Sequence, residues 1–175
     1  MKFSTALIVL VSFVVAGSAA SVPVIKADVA VVAEQISKLD ASISAVPDVA
    51  GGATIPQITA IATNAKATIS ALEKGTVDIK GSSTLNDPDA KAILALVKPY
   101  VTIVLHALGV IVKKKIAFTA GEVVLIGPVL KDINQAATAF GSALVDTAPA
   151  STVADAKQIQ KTVKDALTVA LAAYP

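Results

Sequence analysis

The chain has 175 residues, with 15 basic against 13 acidic side chains and neither cysteine nor tryptophan. Every basic residue is a lysine, so the arginine forks and the strong basic excess of nucleic-acid binders are absent. Without cysteine there are no disulfides and no thiolate metal sites, and burial alone must hold the fold together.

The first 20 residues read as a secretory signal peptide. Lys2 supplies a positive start, residues 6–16 an apolar run, and Gly17-Ser18-Ala19-Ala20 the small residues of a cleavage site. Cleavage after Ala20 or Ala19 leaves residues 21–175 as one secreted domain, extracellular or cell-wall associated.

Five helical patterns follow. In the first, Ile25, Val29, Val32, Ile36, Leu39, Ile43 and Val46 recur at spacings of four and three, and Pro47 and Gly51-Gly52 end the run. The second spans about residues 55–74, with Ile58, Ile61, Ala65, Ile69 and Leu72 in line. Thr54 and Pro56 start it, and Gly75 marks its turn. The third starts at Asn86 or Asp87, with Pro88 in its first turn. Pro99 inside it predicts a kink or break. The fourth covers about residues 120–146. It aligns Ile126, Val129, Leu130, Ile133, Ala137, Phe140 and Leu144, with a second kink at Gly127-Pro128. The fifth, about residues 152–173, aligns Val153, Ala156, Ile159, Val163, Leu167, Ala170 and Tyr174, with Ser151 or Thr152 as its cap.

The third helix is the most informative. Lys91, Lys98, Thr102, His106, Gly109 and Lys113 fall within a stripe roughly 80° wide. Nearly everything else on it is apolar. A lipid-embedded helix would not carry that charged line. A soluble helix needs an apolar face of only about 100°. This helix therefore lies deep among others, or faces apolar matter that is not protein.

Catalytic chemistry finds little support. The single histidine, His106, lies on the water-facing stripe, and no nucleophile motif accompanies it. The acidic cluster Asn86-Asp87-Pro88-Asp89 offers oxygen ligands, but helix capping explains it and no calcium-loop spacing follows. Lys113-Lys114-Lys115 suits a helix C-terminus, and less well a patch for anionic lipid or cell-wall polysaccharide. The apolar pattern alone fits either a solid Ala/Val-rich core or a cavity between helices bowed apart at Pro99 and Gly127-Pro128.

The run Leu94-x-x-Val97-Lys98-Pro99-x-Val101, then Leu105-x-x-Leu108 and Lys113-Lys114-Lys115-x-x-Phe118, resembles the fungal hydrophobic surface-binding protein A family. So do Gly121, Val129-Leu130-Lys131-Asp132-Ile133 and Phe140-Gly141-Ser142-Ala143-Leu144. That family includes antigenic cell-wall galactomannoproteins, and the resemblance runs from about residue 24 to about 144. It implies adsorption to hydrophobic surfaces with recruitment of secreted hydrolases, or fatty-acid binding in a helical bundle. It carries no catalytic motif.

The sequence thus predicts an all-α, monomeric five-helix bundle with kinked central helices. Its expected activity is non-catalytic: binding fatty acids or other lipids in an apolar cavity and associating with hydrophobic surfaces, without cofactor, metal or nucleic acid. The predicted lining is Val97, Tyr100, Val101, Val104, Leu105 and Leu108 on the third helix with Ile126, Val129, Leu130 and Ile133 on the fourth. Tyr100 or a lysine is expected near the mouth. The alternative is a surface-adsorbing adhesin or wall protein that recruits a secreted hydrolase and takes no stoichiometric ligand.

Overall fold

The computed structural model describes residues 20–175; all of the segment read as a signal peptide except Ala20 lies outside them. The elements are α1 (Val22–Ser44), α2 (Ile55–Gly81), α3 (Asp87–Lys113), a 3-10 turn (Lys114–Ala117), α4 (Ala120–Thr147) and α5 (Val153–Ala173). The fold is all-α, as the periodicity predicts.

Local chemistry sets the helix starts. Prolines stand in the first turns of α1, α2 and α3, where a missing N–H costs nothing. The Thr54 N–H donates to Gln57 Oε1 at 3.0 Å, and the Thr119 N–H to Glu122 Oε2 at 2.7 Å, each closing a first turn. Asn86 Oδ1 accepts from the Asp89 N–H at 2.9 Å, so the acidic cluster there is a helix cap. Thr152 precedes α5, but its hydroxyl donates back to the Pro149 carbonyl instead of capping forward.

The expected end of α2 needs correction. Gly75 does not end α2, which continues to Gly81. A side chain at 75 would bring a Cβ within 2.8 Å of the Phe140 ring, so this glycine permits close packing of α2 on α4. Both α3 and α4 run unbroken through Pro99 and Pro128. Each proline deprives the carbonyl four residues earlier of its partner. Those carbonyls belong to Ala95 and Val124, both exposed residues, so the missing bond costs less than it would in the core.

The helices pack pairwise in the order α1, α2, α4, α5, α3 and back to α1. They form a closed ring of five staves, with α3 and α4 as second neighbours. Two clusters plug the ends. One joins Ile25, Val29, Leu72, Ile79, Ile93 and Phe140 at the start of α1. The other joins Ile43, Val46, Ile111, Phe118, Leu167 and Tyr174 at its finish.

The second end is also tied by polar groups. Gly51, in the left-handed region at φ 64°, donates its N–H to Ile116 O at 3.1 Å, and Ala53 donates to Ala117 O at 3.0 Å. Lys114 is buried, unlike its neighbours. Its ammonium donates to the Val46 carbonyl and lies 2.8 Å from Asp48 Oδ1. Of the lysine triplet, only Lys113 and Lys115 are left exposed. Tyr174 is fully buried, and its hydroxyl donates to the Ile111 carbonyl at 2.7 Å, one of the last carbonyls of α3. A Cβ on Gly127 would stand 2.9 Å from Tyr174 O, so this glycine admits the C-terminal segment against α4.

Gly75→Val should destabilise the protein by about 1–3 kcal/mol through overpacking, and Phe140→Leu in the same chain should recover part of the loss. Denaturant midpoints of the single and double variants test this. Burial pushes the Tyr174 phenol from 10.0 up to about 12. The folded state thus favours the un-ionised ring. Its contribution to stability is unchanged below pH 10 and declines from there to about pH 12, as the unfolded chain releases the proton first. Urea midpoints at pH 8 and pH 11 should therefore fall further for the wild type than for Tyr174→Phe.

Candidate functional site

Between the two plugs the ring is hollow. A cavity of about 440 Å³ lies along its axis, walled almost entirely by aliphatic carbon from all five helices. This is within the size range of small-molecule sites. On α1 the lining runs from Val29 to Ile43, roughly 21 Å at 1.5 Å per residue. Phe118 closes one end and Phe140 the other.

Nine of the ten predicted lining residues stand on this wall: Val97, Tyr100, Val101, Val104 and Leu108 of α3, and Ile126, Val129, Leu130 and Ile133 of α4. Leu105 does not. At 100° per residue it lies beside Lys98 at the edge of the polar stripe, and it is 38% exposed. The expectation that α3 and α4 are adjacent helices also needs correction. Intervening helices hold them apart, and their apolar faces confront each other across the cavity.

The surplus apolar face of α3 is explained by that void. Between residues 95 and 106 none of its side chains is fully buried, and the inward ones face empty space. The six residues of the polar stripe are all exposed. Two of them brace α3 against its ring neighbours. His106 Nδ1 lies 2.7 Å from Asp40 Oδ1 on α1, and Lys98 Nζ donates to Asp155 Oδ2 on α5 at 2.8 Å.

Sequence reasoning did not assign the remaining wall. It includes Val32, Ile36 and Leu39 of α1, Ile61 of α2, and Ile159 and Val163 of α5. These residues belong to the apolar seams read for each helix. A seam shows which face is turned inward, but not whether anything meets it there.

Two parts of the wall are also exposed. Gly75 against Phe140 sets the register of parallel α2 and α4, placing Ala62 and Leu125 near one level. Both are exposed and both line the cavity, so an apolar slot opens between these helices. Gln160 Nε2 donates to Ser142 Oγ at 2.9 Å, setting the register of antiparallel α4 and α5. One turn along that seam Thr138 and Lys164 are again both exposed and cavity-lining. The second opening is polar.

The orientation of α3 predicts opposite outcomes for adjacent leucines. Leu105→Ala should shift stability by no more than about 0.5 kcal/mol, whereas Leu108→Ala should cost about 2 kcal/mol or more. Equal costs in thermal or urea unfolding would place both on the same face.

The family model for hydrophobic surface binding protein A matches residues 22–146. No match was found among curated protein sequences. Among solved structures, ligand binding domain 1 of the Penicillium marneffei MP1 protein, complexed with arachidonic acids, superposes with a TM-score of 0.78. It is 19% identical over 88% of this chain and 98% of that one. AFMP4P in complex with palmitic acid gives 0.78 at 18% identity, over 89% of this chain and 100% of that chain. Domain 2 of MP1, complexed with multiple arachidonic acids, gives 0.77 at 15% identity, over 88% and 96%. At such identities the likeness is one of fold. The family match spans most of the ring, from the start of α1 almost to the end of α4, and the chain belongs to the hydrophobic surface binding protein A family.

Proposed function

We propose that this protein is a non-catalytic carrier that holds a fatty acid, or another lipid with a long acyl chain, in its axial cavity. The observation that carries the reading is the cavity itself: elongated, aliphatic, contributed by every helix and plugged at both ends. Each buried methylene stabilises a complex by about 0.8 kcal/mol, so a dozen give roughly 10 kcal/mol before ordering costs. Tight binding then needs little help from polar groups. The likeness to folds crystallised with arachidonic and palmitic acids supports the same ligand class. The lone histidine sits outside the cavity against Asp40, remote from any chain held on the axis.

Association with hydrophobic surfaces belongs to the same proposal, as does work outside the cell or at its wall. The family match and the signal-like N-terminus support these parts. A second reading, adsorption without a stoichiometric ligand and with recruitment of a hydrolase, draws on one feature. Val49, Ile55, Ile116, Val124 and Leu125 are all more than half exposed and gather toward one end of the ring.

Filling the void separates the two readings. Val104→Phe and Val129→Phe both point a ring into empty space, so each should leave the fold intact. Each should weaken uptake of a fluorescent fatty acid at least tenfold, about 1.4 kcal/mol. Adsorption to an apolar resin should be unchanged. A wild type with no saturable uptake would reject the carrier and favour the adsorbing coat.

A further inference from the structure

We propose that Lys164, at the opening between α4 and α5, receives the carboxylate of the bound lipid, so that a fatty acid lies head-out at this seam with its chain along the axis. The inference rests on the carrier reading and adds a polarity to it. An ionised carboxylate cannot be left among the aliphatic walls, because burying an unpaired charge is too costly. The head must lie where a cation and water meet the cavity. Among the described residues only two charged ones line the wall, Glu122 and Lys164. Glu122 is committed to the Thr119 N–H and carries the wrong sign.

Lys164 is free for the role. It makes no ion pair among the described residues, and the nearby carboxylate of Asp165 is held by Lys161 at 2.6 Å. The seam around it is thin. A Cβ on Gly141 would come within 3.0 Å of Gln160 Cγ, so here the helices touch without bulky side chains. Thr138 lines the same opening, and Gln160 is held in place by its bond to Ser142. The other opening has the opposite character: Ala62 and Leu125 lie there, and Glu122 is on the same stretch of wall. Its apolar rim suits passage of the chain and its acid repels the head. The two openings thus divide the work of admitting the tail and fixing the carboxylate.

Lys164→Met keeps the stem and removes the charge. Palmitate and its uncharged methyl ester would each be used to displace a neutral, polarity-sensitive dye from the wild type, Lys164→Met and Lys164→Arg. Lys164→Met should weaken palmitate about fivefold, the upper end for an exposed ion pair, and leave methyl palmitate unchanged. Lys164→Arg should behave as the wild type. The gap between acid and ester should shrink in about 1 M salt. If the wild type binds palmitate and Lys164→Met binds it equally well, or loses acid and ester alike, the assignment is overturned while the carrier reading stands. A wild type that displaces dye with neither ligand overturns both.

Discussion

Five helices closed into a ring cannot reach their common axis. At about 10 Å between neighbouring axes, four helices stand roughly 7 Å from the centre and five roughly 8.5 Å. A helix with its side chains has a radius of about 5 Å. Four helices thus nearly meet, while five leave a channel on the order of 7 Å wide unless large side chains cross it. This chain has few such side chains. Phe118 and Tyr174 pack into one end of the ring and Phe140 into the other. That leaves Tyr100 as the one aromatic on the middle of the wall, opposite valine, isoleucine and leucine. The hollow centre follows from helix number and side-chain bulk together.

A ring of this kind needs close seams, and the glycines provide several. Gly75 meets Phe140, Gly127 meets the C-terminal segment and Gly141 meets Gln160. The first of these contacts has an electrostatic cost. Asp28 is buried beside Gly75, and one of its oxygens has no hydrogen-bond partner. Desolvation raises its carboxyl pKa, against the pull of the Lys74 ammonium. Lys74 itself is raised by Asp28 and by Asp78, and the same ammonium lowers Asp78. The group is a bridge between α1 and α2 at the end plugged by Phe140. It is separate from the cavity wall, to which no aspartate among the described residues contributes.

Much of this was legible in the chain. Apolar spacing places all five helices, and the polar stripe of α3 orients it well enough to put nine residues on the cavity wall. The surplus apolar face of α3 pointed to something beyond an ordinary core. What the chain could not disclose is which helix adjoins which. Periodicity identifies an inward face but names no neighbour, so it cannot tell that α5 stands between α3 and α4. Gly75 looked like a turn because a glycine's tolerance of close packing and its tolerance of a turn leave the same mark in the sequence. The sequence groups Lys114 with two other helix-end lysines because only the fold brings Val46 and Asp48 over it. Leu105 lies one step past the boundary of the stripe, within the angular error of an ideal helix.

The size of the void constrains how such a protein stays folded. Sealed holes left by core truncations cost about 24 cal/mol per Å³. On that scale 440 Å³ would cost on the order of 10 kcal/mol, comparable to the whole stability of a domain. The ring avoids part of that cost because its hole is not sealed. Exposed wall residues at two seams leave the cavity in contact with solvent, so it resembles a surface groove more than a sealed hole in a core. The solid ends and the hollow middle are therefore one design: the plugs supply the stability that lets side chains in the middle stop short of the axis.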